Sequence, residues 1–255
     1  MVSDPVPIVP WARVPGALPA AASVAALIAA LGWLLMQGAD WHFRYIGAAL
    51  SGYMVLAAGV ALAAAWHLRG MGFGVANQVT LLRSGLVCLI GGTLLAGGHA
   101  PSASWSLAAI IGVALSLDAV DGWLARRLGL ASRFGARFDL EIDALLILIL
   151  AVLVWQAGRV DGWVLVIGGM RYGFAALGAI LPVLRRPLPP SRRRKAVCAL
   201  LGVLLLICLL PPTPAWLAGY AAALALAAQL ASFGTDIVWL ARHAEAMATV
   251  PGEPA

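Results

Sequence analysis

Eight apolar stretches divide this chain, at roughly 21–37, 45–66, 79–98, 104–125, 139–157, 161–184, 196–210 and 214–240, most of them close to the about 20 residues that carry a helix across a bilayer. Inside lipid the backbone has no water to bond, so such stretches must satisfy their own amide groups and fold as helices. The breaks between them carry turn chemistry: Gly-Gly-His-Ala-Pro at 97–101, Gln-Ala-Gly-Arg at 156–159 and Pro-Pro-Thr-Pro at 211–214. With 62% hydrophobic and 11% charged residues, the chain cannot be an ordinary soluble domain. The expected fold is an all-α integral membrane protein of eight transmembrane helices.

The basic residues orient the stack. With the N-terminus in the cytoplasm, fourteen lysines and arginines fall on inside segments, among them Arg69, Arg126, Arg127, Arg133, Arg137, Arg185, Arg186, Arg192 to Arg194, Lys195 and Arg242. Only Arg44 and Arg159 fall outside, and Arg171 lies within a span. Both termini are therefore expected in the cytoplasm. The net charge of +6 reads as topology and attraction to anionic membrane lipids; no nucleic acid is expected as a partner, because the basic residues flank spans and no recognition module accompanies them. The Pro-rich start, residues 1–20, has no basic cluster leading into a short apolar core and is expected to remain as an uncleaved tail. Cys88, Cys198 and Cys208 lie in apolar runs and read as packing residues. Trp33, Trp41, Trp66, Trp105, Trp123 and Trp216 stand near span ends, where indoles anchor a helix at the interface.

Four carboxylates break the apolar pattern. Asp118 and Asp121 are three residues apart near the cytoplasmic end of the fourth span, and Asp139 and Asp143 are four apart at the start of the fifth. Each spacing sets its pair on one helix face. An antiparallel pair of helices joined by residues 126–138 would bring the two pairs together at the inner surface of the membrane. Carboxylates that close repel one another unless cations hold them. Oxygen donors alone point to Mg2+ or Mn2+, and four could hold two ions. Gly122 leaves room beside them, and Arg126 supplies a fork suited to phosphate oxygens.

The pattern Asp118-x2-Asp121-Gly122-x2-Ala125-Arg126-x8-Gly135-x3-Asp139-x3-Asp143 resembles the complete signature of the CDP-alcohol phosphotransferases (CDP-alcohol phosphatidyltransferases). Residues 76–83 resemble the Pro-Asn-x-x-Thr-x-x-Arg segment of the same family through Asn77, Thr80 and Arg83, with Ala76 in place of the proline. The resemblance implies a six-helix catalytic core at 70–242, preceded by a tail and two accessory helices at 1–69 and followed by a short cytoplasmic tail at 243–255. It implies a CDP-diacylglycerol-type donor, a small alcohol acceptor, release of CMP, and a homodimer. It makes Asp118, Asp121 and Asp139 metal ligands, and Asp143 both a ligand of the second metal and the general base. Gly122, Ala125, Arg126 and Thr80 would frame the CDP moiety.

Arg171, about ten residues into the sixth span, needs a carboxylate, carbonyls or an anionic ligand at such a depth. With Arg194 and Lys195 in the cytoplasmic segment 185–195, it is the candidate site for a phosphate on the acceptor, as in glycerol phosphate or inositol phosphate. Asp236, in the last span, reads as a partner for a neighbouring polar group. Two other classes remain open: a membrane prenyltransferase, whose aspartate pairs would occupy separate repeats, and a cation-coupled transporter, whose carboxylates belong at the bilayer midplane.

Overall fold

The computed structural model describes residues 17–38, 43–68, 75–95, 105–128, 133–181 and 191–248. They form eight α-helices: α1 (Ala17–Gly38), α2 (Phe43–Leu68), α3 (Val75–Leu95), α4 (Trp105–Leu128), α5 (Arg133–Gln156), α6 (Leu165–Ile180), α7 (Arg192–Leu209) and α8 (Ala215–Ala248). A 3-10 turn at Gly162–Val164 leads into α6, and no strand occurs among the described residues.

Each expected span has its helix, but the helices are not alike. Among the described residues, three segments are long and apolar enough to cross a membrane: Arg44–Ala63, Gly162–Ile180 and Ala215–Arg242. Pro19–Leu35 and Trp105–Asp118 are shorter apolar helices. The remaining three helices are diluted by polar residues at one end: Asn77 to Arg83 in α3, Arg133 to Asp143 in α5, and Arg192 to Lys195 in α7. Apolar side chains face outward in number, among them Leu34, Val55, Leu62, Ile180, Leu224 and Leu230. Trp33, Trp105 and Trp216, three of the expected anchors, are exposed; the side chains of Trp41, Trp66 and Trp123 lie outside the described residues.

The chain divides into two compact units, 1–101 with 109–142 and 102–108 with 143–255. In the first, α1, α2 and α3 pack mutually. Tyr45, Ala49 and Tyr53 recur at four-residue intervals on α2 and are fully buried, as a helix turning one face to its neighbours requires. The Tyr53 hydroxyl donates to the Ala21 carbonyl of α1 at 3.1 Å.

In the second unit α5 ends on a left-handed glycine. Gly158 has φ +64°, and its N–H bonds the Trp155 carbonyl at 2.9 Å while Arg159 N–H reaches Val154 at 3.2 Å. This pair of bonds is the Schellman arrangement, which stops a helix where a residue can adopt positive φ. Arg159 then donates to the Thr213 carbonyl at 2.7 Å, tying this turn to the one between α7 and α8. The α6–α8 contact is set by Gln229, which donates to the Ile167 carbonyl at 2.9 Å, and by Phe174 edge-on to Phe233 at 5.4 Å. Cys208 is buried, its thiol directed to the Ala218 carbonyl, in keeping with a packing role.

Helices α5 and α6 approach closely at Gly168, where an added Cβ would lie 2.6 Å from the Leu148 Cα. Backbone cannot swing aside as a side-chain tip can, so the two helices would have to separate. Gly168→Ala is expected to destabilise the protein by about 1–3 kcal/mol, seen as a lower melting temperature in detergent. An unchanged melting temperature would contradict this packing.

Candidate active site

The acidic cluster forms around an arginine. Arg83 lies two turns into α3, its side chain fully enclosed, and its Nη1 donates to Asp118 Oδ1 of α4 at 2.6 Å. Its Nη2 donates to Asp139 Oδ1 of α5. The guanidinium stays protonated under all ordinary conditions, and these carboxylates offset the cost of burying it. Removing one partner of a buried ion pair costs about 3–5 kcal/mol. Three helices distant in sequence are thereby joined at one point.

Asp143 sits one turn beyond Asp139 on the same helix. Asp118, Asp139 and Asp143 each offer a carboxylate oxygen, and these oxygens lie within 4.8 Å of one another. All three residues are partly exposed. Convergent, ionisable oxygen donors with no sulfur or imidazole among them fit a hard divalent cation. The fully enclosed Arg83 already supplies one positive charge to two of these carboxylates.

The expected pairing of aspartates across the α4–α5 connection thus holds for Asp118, Asp139 and Asp143. Asp121, Gly122, Ala125 and Arg126 fall on α4, but their side chains lie outside the described residues. Thr80 and Asn77 are buried on α3, one and two turns before Arg83. The position of Asp139 differs from expectation. Helix α5 starts at Arg133, so Asp139 falls in its second turn rather than at its start. Residues 133–138 are too polar to register as a span yet contain no proline, and the helix continues through Gly135.

Arg171 is half-buried on α6, on the same face as Ile167 and Phe174, the residues that meet Gln229 and Phe233 of α8. Arg194 and Lys195 were expected in a loop and instead occupy the first turn of α7, which begins at Arg192 behind an extended Ser191. The positive end of a helix disfavours four consecutive basic residues, and Asp236 of α8 offsets them. Arg193 Nη2 donates to Asp236 Oδ1 at 2.6 Å and its Nη1 to the Ser232 carbonyl at 2.9 Å. Arg194 reaches the same carboxylate oxygen at 3.4 Å. Asp236 thus has the polar partner expected of it, and Lys195 is exposed.

Sequence reasoning placed Arg83 in the segment 76–83 with Asn77 and Thr80 but gave it no role in the acidic cluster. A signal was present: Arg83 lies inside the expected third span, so the rule that singled out Arg171 applies equally to it.

A family model described as CDP-alcohol phosphatidyltransferase matches residues 73–232, the greater part of the chain. That segment contains Arg83, all four aspartates, Arg171 and the basic turn of α7. No solved structure matches the chain significantly.

Proposed function

This chain belongs to the CDP-alcohol phosphatidyltransferase family, and we propose that it transfers a phosphatidyl group from CDP-diacylglycerol to the hydroxyl of a small phosphorylated alcohol, releasing CMP. The observation that carries this reading is the convergence of Asp118, Asp139 and Asp143 within 4.8 Å, at the family's signature. The transporter and prenyltransferase readings have no comparable support.

Asp118, Asp121, Asp139 and Asp143 would hold Mg2+ or Mn2+, two ions in all. When bound, these ions polarise the diphosphate and offset charge developing on the departing CMP. Gly122 and Ala125 leave space for the CDP moiety, Arg126 forks onto its phosphate oxygens, and Thr80 assists from α3. Asp143 accepts the proton of the acceptor hydroxyl as its oxygen bonds to the phosphatidyl phosphorus. The bond from that phosphorus to the bridging oxygen breaks in line, and CMP leaves with the electron pair.

On the same reading the chain crosses the membrane eight times with both termini and the active site at the cytoplasmic side. Residues 70–242 form the catalytic core, 1–69 the tail and accessory helices, and 243–255 a short tail. The family resemblance adds a homodimer.

The acceptor is assigned a phosphate because Arg171 places a guanidinium within the apolar helix α6, where a fixed fork suits phosphate oxygens, and because Arg194 and Lys195 stand in the basic first turn of α7. Purified protein incubated with CDP-diacylglycerol, Mg2+ and a panel of free and phosphorylated alcohols should yield a lipid product only from the phosphorylated ones. Arg171→Lys should raise the acceptor KM at least about 10-fold and leave the donor KM little changed, because an ammonium cannot reproduce a bidentate phosphate contact. Preference for an uncharged alcohol, or an equal effect on both substrates, would remove Arg171 from the acceptor site.

A further inference from the structure

We infer that Arg83 is a resident counter-ion of the acidic cluster: it gathers Asp118 and Asp139 before a divalent cation arrives, and it competes with that cation for the same two carboxylates. The inference rests on the metal-site reading above and assigns a positioning role, since Arg83 acts through the aspartates.

The geometry has two parts. Arg83 reaches Asp118 with one nitrogen of its fork and Asp139 with the other, and those two residues are also two of the three whose oxygens converge. The same carboxylates therefore serve an internal cation and are the candidate ligands of an external one. Without a cation, three ionised carboxylates this close would repel and spread. Arg83, fully enclosed and always charged, prevents this by bridging α4 and α5 through a single planar group. Ionised, the three clustered carboxylates and one guanidinium carry a net formal charge of about −2, and Asp121 of the proposed site adds a further negative charge, so the cluster still calls for divalent cations beside Arg83.

A cation entering the cluster meets Arg83 as a like charge a few ångströms away. That repulsion weakens metal binding, while the preformed geometry favours it. Charge repulsion at contact distance in a partly desolvated site exceeds the benefit of holding two short side chains in place. Arg83 thus keeps the empty site assembled at some cost in metal affinity, which also eases exchange of the ion.

The test uses the purified full-length protein in detergent, with Mn2+ binding followed by electron paramagnetic resonance and stability by thermal melting in EDTA. Arg83→Gln should melt lower than wild type in EDTA, gain more stability from Mn2+, and bind Mn2+ about 10-fold more tightly. Arg83→Lys, which keeps the charge and loses the fork, should fall between the two in both readouts and supplies the comparison if the Gln variant does not fold. Adding Asp118→Asn to Arg83→Gln should raise its melting temperature in EDTA, because a repelling charge without a counter-ion is removed, whereas in Arg83→Lys the same change should lower it, because the ammonium loses a partner. An arginine that merely filled space would give no such rescue.

Wild-type protein that binds Mn2+, together with variants that bind it equally or more weakly, overturns the inference and leaves the metal site standing. Absence of rescue by Asp118→Asn overturns it too. Wild-type protein that binds no Mn2+ overturns the metal-site reading and this inference together.

Discussion

Asp139→Asn is expected to abolish CMP release, lowering turnover by at least about 10³-fold, equivalent to about 4 kcal/mol of transition-state stabilisation. Asparagine keeps the shape of the side chain and removes its charge. Two consequences converge at this position: the proposed metal site loses one of three clustered carboxylates, and Arg83 loses an anionic partner. A misplaced or absent ion leaves the diphosphate unpolarised and the reacting atoms out of line. Asp118→Asn is expected to behave alike, since Asp118 has the same pair of contacts, and Asp121→Asn should follow from its proposed role as a ligand. Insertion into the membrane should persist in all three variants. The check is CMP formed from CDP-diacylglycerol at ordinary Mg2+, with membrane fractionation as the control. Near wild-type turnover in any of the three would remove that residue from the metal site.

Asp143→Asn should separate binding from chemistry. As the proposed base it acts on the acceptor hydroxyl, so its loss should lower kcat by about 10² to 10⁴-fold while the affinity for the donor changes no more than about threefold. Asp143 also lies in the convergent cluster, which sharpens the comparison with Asp118→Asn. If Asp143→Asn loses donor binding as completely as Asp118→Asn, Asp143 is principally a metal ligand and the base is another group. Binding of a CDP-diacylglycerol analogue, measured beside single-turnover CMP release, distinguishes the two outcomes.

The helices were legible because apolar runs of bilayer length can fold in few other ways, and because Gly and Pro clusters mark their ends. Gly158, in the expected break at 156–159, terminates α5 with positive φ. Helix starts were less legible. Helices α5 and α7 both begin in basic, polar sequence, at Arg133 and Arg192, which hydropathy excludes from a span although the backbone continues through it. The Asp139–Asp143 part of the acidic cluster was legible from spacing, since an interval of four residues places side chains on one helix face, while the side chain of Asp121 lies outside the described residues.

What spacing could not supply was the partners. Arg83 is 35 residues from Asp118 and 56 from Asp139, and Arg193 is 43 from Asp236. Pairings over such distances follow from helix packing rather than local pattern. Arg193 shows how this misleads: the sequence drew attention to its neighbours Arg194 and Lys195, yet Arg193 makes the shortest contact with Asp236.

The most direct measurement is CMP release from CDP-diacylglycerol by the purified wild-type protein, with a small phosphorylated alcohol present, as Mg2+ or Mn2+ is titrated back after EDTA treatment. A metal-dependent phosphatidyl transfer at Asp118, Asp139 and Asp143 predicts no CMP in EDTA and saturable recovery with added metal, a recovery that Asp139→Asn does not show. CMP release that continues undiminished in EDTA, or that metal restores equally in Asp139→Asn, would contradict it.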